Sequence, residues 1–144
     1  MATPEATSKS ATPRSPVSRP VSPHLQIYRP MMTTTMSIVH RITGVGLYTG
    51  TLLLAWWLVA AASGPEAYQV FADFISSVFG RLILFGYSWA LIHHLLGGVR
   101  HFIWDMGHGF ELKQIEVMAW GTLIGSVVLT LGVWALAYSM MGVL

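Results

Sequence analysis

The sequence predicts an all-α membrane protein, with three transmembrane helices behind a basic N-terminal tail that is disordered or extended. Of its 144 residues, 53% are hydrophobic and only 10% are charged, and the mean hydropathy is +0.58. Soluble domains average roughly 25% charged residues, and a small one needs polar residues to cover its surface. The chain also has no cysteine. Its composition therefore argues against a soluble enzyme, and it excludes a disulfide scaffold, thiol-ligated zinc and an iron–sulfur cluster on this chain.

Three charge-free stretches locate the membrane spans. Asp, Glu, Lys and Arg are absent from residues 42–65, 82–99 and 117–144. A bilayer core of about 30 Å takes roughly 20 helical residues, and backbone groups in hydrocarbon must pair within their own segment. We therefore expect three transmembrane helices, at about 37–62, 80–104 and 116–141.

The segment between the first two spans predicts a short amphipathic helix at about 65–78. Ser63 and Glu66 have the Ser-x-x-Glu spacing of a capping box, and Pro65 suits the first helical turn. An apolar face follows with helical spacing, at Phe71, Phe74, Ile75 and Val78. We expect this helix to lie in the membrane interface.

Residues 1–30 form a tail that differs in kind from the spans, which belong to a domain at 31–144. The tail holds six of the seven prolines, and its four cations and one acid give a charge of +3. It cannot bury a core, and its cations lack the interleaved aromatic residues of a nucleic-acid site. We therefore expect no nucleic-acid partner.

The Lys and Arg residues outside the spans predict the orientation. The tail has four, the loop 107–115 has Lys113 with Arg100 at the adjoining helix end, and the loop 63–80 has none, or one if Arg81 at its edge is counted. Because such residues stay on the inner side, the tail should face the cytoplasm and the C-terminus the opposite side. The tail is short and poor as a presequence, so a bacterial inner membrane is favoured over a mitochondrial one.

His94 lies inside the hydrocarbon of the second span. It precedes Arg100 by six residues, about 9 Å of helix rise, and intramembrane ionisable residues usually mark a functional site. Gly97 and Gly98 follow on the same helical face, where they leave a flat slot beside the imidazole. One interpretation is a haem with His94 as axial ligand; the other is that these glycines only allow close helix packing.

His94 cannot share an iron with either of the other histidines in its span. His93 points about 100° away from His94, and His101 lies about 10.5 Å further along the axis. A second histidine ligand would therefore come from another helix or another chain. In the haem interpretation, Arg100 and His101 would pair with the propionates. In the other interpretation, Arg100 is a cation that snorkels to the membrane interface and His101 is a hydrogen-bonded polar residue at the same level.

Ser37 and Arg41 stand one turn apart at the start of the first span. A hydroxyl and a guanidinium could bind the carbonyl oxygens of a quinone and stabilise the negative charge that develops during reduction. They could equally cap the helix or anchor it at the interface. Spacing alone does not decide between these interpretations.

Three sequence blocks carry a resemblance to a known family. They are RPVSPHLQIY at 19–28, SIVHRITG at 37–44 and HLLGGVRHFIWD at 94–105. Together they resemble the cytochrome b membrane-anchor subunit of succinate dehydrogenase (respiratory complex II), over residues 19 to about 141. One position departs from the family, since His93 stands where many members have an aromatic residue.

The resemblance implies a function and a set of site residues. It implies a non-dehydrogenating subunit that anchors a flavoprotein and an iron–sulfur subunit, with ubiquinone as substrate and a second small membrane anchor supplying the other haem ligand. The flavin chemistry then occurs elsewhere in the complex. In this sequence the implied residues are His94 for the haem b iron, Ser37 and Arg41 for quinone, and His40, Arg100 and His101 near the haem propionates.

Two other functions compete with this one. A haem-free structural anchor would lack the absorption band of reduced b-type haem. A transporter or ion-conducting subunit would produce flux in liposomes without soluble partners, but the chain has no paired or repeated broken helices of the transporter kind.

Overall fold

The computed structural model describes residues 23–142, and all of its regular structure is helical. A 3₁₀ turn at His24–Ile27 precedes four α-helices. Their bounds are α1 Met32–Ser63, α2 Pro65–Ser76, α3 Val78–Asp105 and α4 Leu112–Met140. Helices α1, α3 and α4 are each long and apolar enough to cross a membrane. The predicted all-α class with three transmembrane helices is confirmed; the tail up to residue 22 lies outside the described residues.

The helices begin earlier than their apolar stretches. Helix α1 starts at Met32 rather than at residue 37, because threonines extend it back toward Pro30; the Thr35 hydroxyl donates to the Met31 carbonyl at 3.2 Å. Helix α4 starts at Leu112 rather than at 116, soon after Gly109 turns the chain with φ of +80°. At the start of both helices, backbone hydrogen bonding therefore includes residues that lie outside the apolar stretch.

The predicted cap of α2 is wrong. Ser63 is the last residue of α1, and its hydroxyl donates back to the Val59 carbonyl at 2.8 Å instead of capping α2. Gly64 makes the turn with φ of +113°, a value that favours glycine, and Pro65 occupies the first turn as expected. The serine that does cap a helix is Ser77, whose Oγ accepts from the Gly80 N–H at 3.0 Å at the start of α3.

Helix α2 packs its aromatic face onto the ends of the long helices. Phe71 is buried, and its ring lies 5.1 Å from that of Trp56 on α1, edge to face. Phe74 lies 5.1 Å from the same indole. Val78, predicted to extend this face, instead belongs to α3 and is exposed. The short helix therefore covers one end of the three-helix bundle.

Small and hydroxyl side chains hold the long helices together. Alpha-helix α4 buries Ala119, Thr122, Ser126 and Thr130, which recur at intervals of three and four residues. The hydroxyls of Thr122, Ser126 and Thr130 donate to carbonyls of their own helix, so that these side chains add little bulk and leave none of their donors unpaired. Close packing of small residues is typical of helices in membranes, where moving an apolar side chain from lipid into the protein brings no hydrophobic stabilisation. Large apolar side chains accordingly cover the outside of the bundle.

Candidate functional site

Three histidines meet between α1 and α3, near the end of the bundle where α1 begins and α3 ends. The rings of His40 and His94 stack in parallel, with centroids 3.9 Å apart and an interplanar angle of 6°. The ring of His101 lies 5.5 Å from that of His40 and 5.2 Å from that of Trp104. The structure thus brings together residues that are more than fifty positions apart in the chain.

The hydrogen bonds of His94 define its tautomer. Its Nδ1 lies 3.1 Å from the His40 carbonyl oxygen and 3.3 Å from the Thr43 hydroxyl, which itself donates to the same carbonyl at 2.9 Å. Because a carbonyl oxygen only accepts, Nδ1 of His94 carries the hydrogen and donates it. The lone pair then resides on Nε2, the nitrogen that remains able to bind a metal or accept a proton.

Two glycines on different helices make room for the stacked rings. A Cβ at Gly44 would lie 3.1 Å from Cε1 of His94, and one at Gly97 would lie 2.8 Å from Cε1 of His40. A Cβ at Gly98 would meet nothing within 4 Å. The predicted slot beside His94 therefore has a different geometry: Gly97 allows close packing of α3 on His40, and the glycine facing His94 is Gly44. Sequence reasoning missed Gly44, although it follows His40 by four residues on the same helical face.

His93 and His94 face opposite neighbours. His93 is 1% exposed and points at α4, where its Nδ1 lies 3.2 Å from the Ser126 hydroxyl; the Trp89 ring flanks it at 5.2 Å. His94 faces α1 and is only partly buried. Of these two adjacent imidazoles, only His94 lies at a surface that a group from outside the chain can reach.

Two buried nitrogen atoms at the site lack a partner within residues 23–142. They are Nδ1 of His40 and Nε of Arg100. Arg100 is only 6% exposed, and its guanidinium carbon lies 5.1 Å from the centre of the Trp104 ring. A buried donor without an acceptor costs about 1–3 kcal/mol, and more when it is charged. The guanidinium of Arg100 therefore suits an added acceptor, above all an anionic one.

Ser37 and Arg41 lie on the outer surface of α1. Both are exposed, and their separation of four residues sets them one turn apart on the same side of the helix. Arg41 adjoins His40 in sequence but points about 100° away from it around the helix. The pair therefore presents a hydroxyl and a guanidinium to whatever lies beside α1, outside the stacked histidines.

A groove of about 320 Å³ runs between α1 and α3, beginning one turn from His94. Ala90, one turn before His94, lines its near end. Its other lining residues are small or apolar apart from one threonine and one tyrosine, and they are Gly46, Thr49, Gly50, Leu53, Ile83, Gly86 and Tyr87. The groove is open at the surface, so a flat group held at His94 could extend into it between the two helices.

Comparison with known proteins identifies the family. The sequence profile of the succinate dehydrogenase/fumarate reductase transmembrane subunit matches residues 15–133. The chain belongs to this family. It is 45% identical to the succinate dehydrogenase cytochrome b556 subunit of Paracoccus denitrificans over 111 residues, which cover 77% of this chain and 85% of the relative.

Relatives in other organisms carry similar names. The cytochrome b556 subunit of Rickettsia prowazekii (strain Madrid E) is 39% identical over 81% of this chain and 90% of the relative. The mitochondrial cytochrome b560 subunit of Sus scrofa is 32% identical over 82% of this chain and 71% of the relative. This succinate dehydrogenase/fumarate reductase family member is a multi-pass membrane subunit, and the resemblance found in its sequence blocks is confirmed.

Proposed function

We propose that this chain anchors a succinate:ubiquinone oxidoreductase in the membrane, that His94 is an axial ligand of haem b, and that Ser37 and Arg41 contribute to a quinone site. The observation that carries the proposal is the hydrogen bond from Nδ1 of His94 to the His40 carbonyl. Metal-ligating histidines nearly always donate their other ring N–H to a carbonyl, carboxylate or water, which fixes the ring and raises its basicity. His94 has this arrangement, within a family whose relatives are named as cytochromes b.

The residues around His94 fit a haem. Nε2 of His94 is the nitrogen left free by the Nδ1 bond, Gly44 lets α1 approach the ring to contact distance, and the glycine-rich groove begins one turn away. The unpartnered Nε of buried Arg100 would supply a charged donor for a propionate carboxylate, and His40 lies at the same end of the bundle. His101, close to His40 and exposed, would act at the same edge. When bound, haem b supplies a centre that takes up and releases one electron at a time.

The second axial ligand is proposed to come from another chain. His93 is enclosed between α3 and α4, and His101 is about 10.5 Å along the helix from His94. The ring of His40 is stacked face to face on that of His94 with centroids 3.9 Å apart, so the two imidazoles leave no space for a metal ion between them. A second small membrane anchor would bring the missing histidine against the open side of the groove.

Ser37 and Arg41 are proposed to bind the quinone headgroup. The Ser37 hydroxyl and the Arg41 guanidinium are both exposed donors, one turn apart. The serine would orient one carbonyl oxygen, and the arginine would stabilise the negative charge that develops as the ring is reduced. Because both lie in the first turns of α1, they are close to the membrane surface and to any soluble subunit docked there.

The orientation and the partners follow from the distribution of charge. Lys113, Arg100 and Arg41 lie at the end of the bundle where α1 begins, whereas Arg81 is the only Lys or Arg at the other end. We place the histidine end at the cytoplasmic face of a bacterial inner membrane, with lipid around the apolar outer surface. The flavoprotein and iron–sulfur subunits would dock at that face, near the tail.

A haem-free structural anchor is the second candidate. The contact between His40 and Gly97, and the parallel stacking of His40 on His94, are what a bundle without a prosthetic group would also need. In that case the histidines only join α1 to α3.

The optical spectrum of the native complex separates the two candidates. The tagged chain is purified from its own membrane in detergent, and the co-purifying subunits are identified by mass spectrometry. We expect a flavoprotein, an iron–sulfur protein and a second small membrane chain, together with a reduced-minus-oxidised b-type haem band. The same subunits without that band would establish the haem-free anchor, and absence of the soluble subunits would contradict both candidates.

A further inference from the structure

A cavity of about 520 Å³ lies at the opposite end of the bundle from His94. It is formed where α3 begins and α4 ends, with α2 closing one side. The residues that line it are Ile75, Ser76, Arg81, Leu84, Ser88, Val133, Trp134, Ala137, Tyr138 and Met141. It shares no residue with the histidine site, and the quinone and haem proposals leave it without a role.

The cavity contains the only cation of that end of the protein. Arg81 is the sole Lys or Arg between residues 42 and 99, and residues 114–144 contain none. It is exposed in the first turn of α3, and the Tyr138 hydroxyl belongs to the same cavity. The acid closest to Arg81 in sequence, Asp73 on α2, accepts a hydrogen bond from the Gln69 amide at 2.8 Å. Arg81 is therefore the group at the mouth of the cavity that selects for negative charge.

Polarity falls from the mouth of the cavity toward its interior. Ser88 is two turns beyond Arg81, about 10.5 Å deeper along α3. The Ser76 and Ser88 hydroxyls donate to carbonyls of their own helices, at 2.6 and 2.7 Å. What remains along the wall is apolar, and the Trp134 ring is held edge-on against Phe85 at 5.3 Å.

We propose that this cavity binds one glycerophospholipid, with its phosphate on Arg81 and an acyl chain along the wall of α3 and α4. A guanidinium binds phosphate through two parallel N–H donors. Arg81 lies at the end of the helix with an apolar wall beneath it, an arrangement that matches the charged headgroup and apolar acyl chains of a phospholipid. Charge complementarity favours this occupant over a quinone, whose headgroup is neutral, and over an apolar helix, which has no anion for Arg81. The bound lipid would tie α2 to the ends of α3 and α4.

Native mass spectrometry of the purified complex tests the proposal through matched variants. Arg81→Gln removes the charge at similar length, Ala137→Trp fills the wall without touching the charge, and Lys113→Gln removes a cation at the opposite end. We expect the wild type and the Lys113 variant to retain one phospholipid that the other two variants lose. Arg81→Lys should retain it in part, since it keeps the charge but loses the paired donors. Retention in Arg81→Gln equal to the wild type would overturn the proposal, as would loss from Arg81→Gln with full retention in Ala137→Trp.

Rebinding to the delipidated wild-type complex provides a second measurement that does not depend on any variant folding. Phosphatidylglycerol should restore the bound mass, whereas diacylglycerol, which lacks the phosphate, should bind about tenfold or more weakly. Inorganic phosphate alone should not compete at equal concentration, because it gains nothing from the apolar wall. Equal binding of diacylglycerol, or a protein segment found in the cavity, would refute the assignment.

Discussion

Gly97 and Gly98 are adjacent on α3 but have opposite surroundings, and exchanging each for alanine isolates the contact between α3 and His40. A Cβ at Gly97 would lie 2.8 Å from Cε1 of His40, whereas one at Gly98 would meet nothing within 4 Å. Overpacking of this kind costs about 1–3 kcal/mol. Alanine in place of glycine within a helix gains about 0.5–1 kcal/mol at either position. The helical gain cancels when the two variants are compared, so their difference reports the contact alone.

We therefore expect Gly97→Ala to be about 1–3 kcal/mol less stable than Gly98→Ala, and Gly98→Ala to equal or exceed the wild type. The measurement is the free energy of unfolding of the purified complex, from SDS titration followed by tryptophan fluorescence. The Soret absorbance recorded in the same titration follows any haem at the site. Equal stability of the two alanine variants would refute the close approach of α3 to His40, and with it the packing described for the site.

Three further predictions concern other contacts. Arg41→Ala should depress quinone reduction severalfold while succinate oxidation by an artificial acceptor stays near normal, and equal loss in both assays would indicate failed assembly instead. Ser126→Ala should lower the free energy of unfolding by about 0.6 kcal/mol, and at most about 1.7, the range for hydrogen bonds between membrane helices. In a His93→Phe background the same substitution should cost nothing further, because the His93–Ser126 contact is already lost. Ser77→Ala should cost about 1 kcal/mol through loss of the helix cap, whereas Ser76→Ala, which removes only a bond within α2, should change unfolding free energy by less than half as much.

The spans were predictable because charge is excluded from the hydrocarbon over whole helical lengths. Their first turns were not, since α1 extends back through threonines that hydropathy does not distinguish from a loop. The cap of α2 failed for a related reason. Ser63 and Ser77 both have suitable sequence contexts, and what separates them is the positive φ of Gly64, which ends α1 only after Ser63 has been incorporated.

The gathering of His40, His94 and His101 at one end was predictable from the orientation of the helices alone. The stacking of His40 on His94 and the bond to the His40 carbonyl were not, because they depend on the rotation of α1 against α3. Periodicity gives little guide to that rotation when apolar residues surround each helix on all sides. The sequence did contain one indication of the face of α1 that packs on His94. Gly44 lacks a side chain and Thr43 carries a hydroxyl, and both lie on the face of α1 that also carries His40.

The most direct test of the account is the haem content of two variants at adjacent positions, His94→Tyr and His93→Phe, measured as the reduced-minus-oxidised b-type absorbance per assembled complex. Because the hydrogen bond from Nδ1 of His94 leaves its Nε2 free and the ring is only partly buried, whereas His93 is enclosed against Ser126, we predict that His94→Tyr abolishes or strongly perturbs the band and that His93→Phe leaves it largely intact. Retention of the band in His94→Tyr with its loss in His93→Phe would contradict the account and assign the iron to the other imidazole.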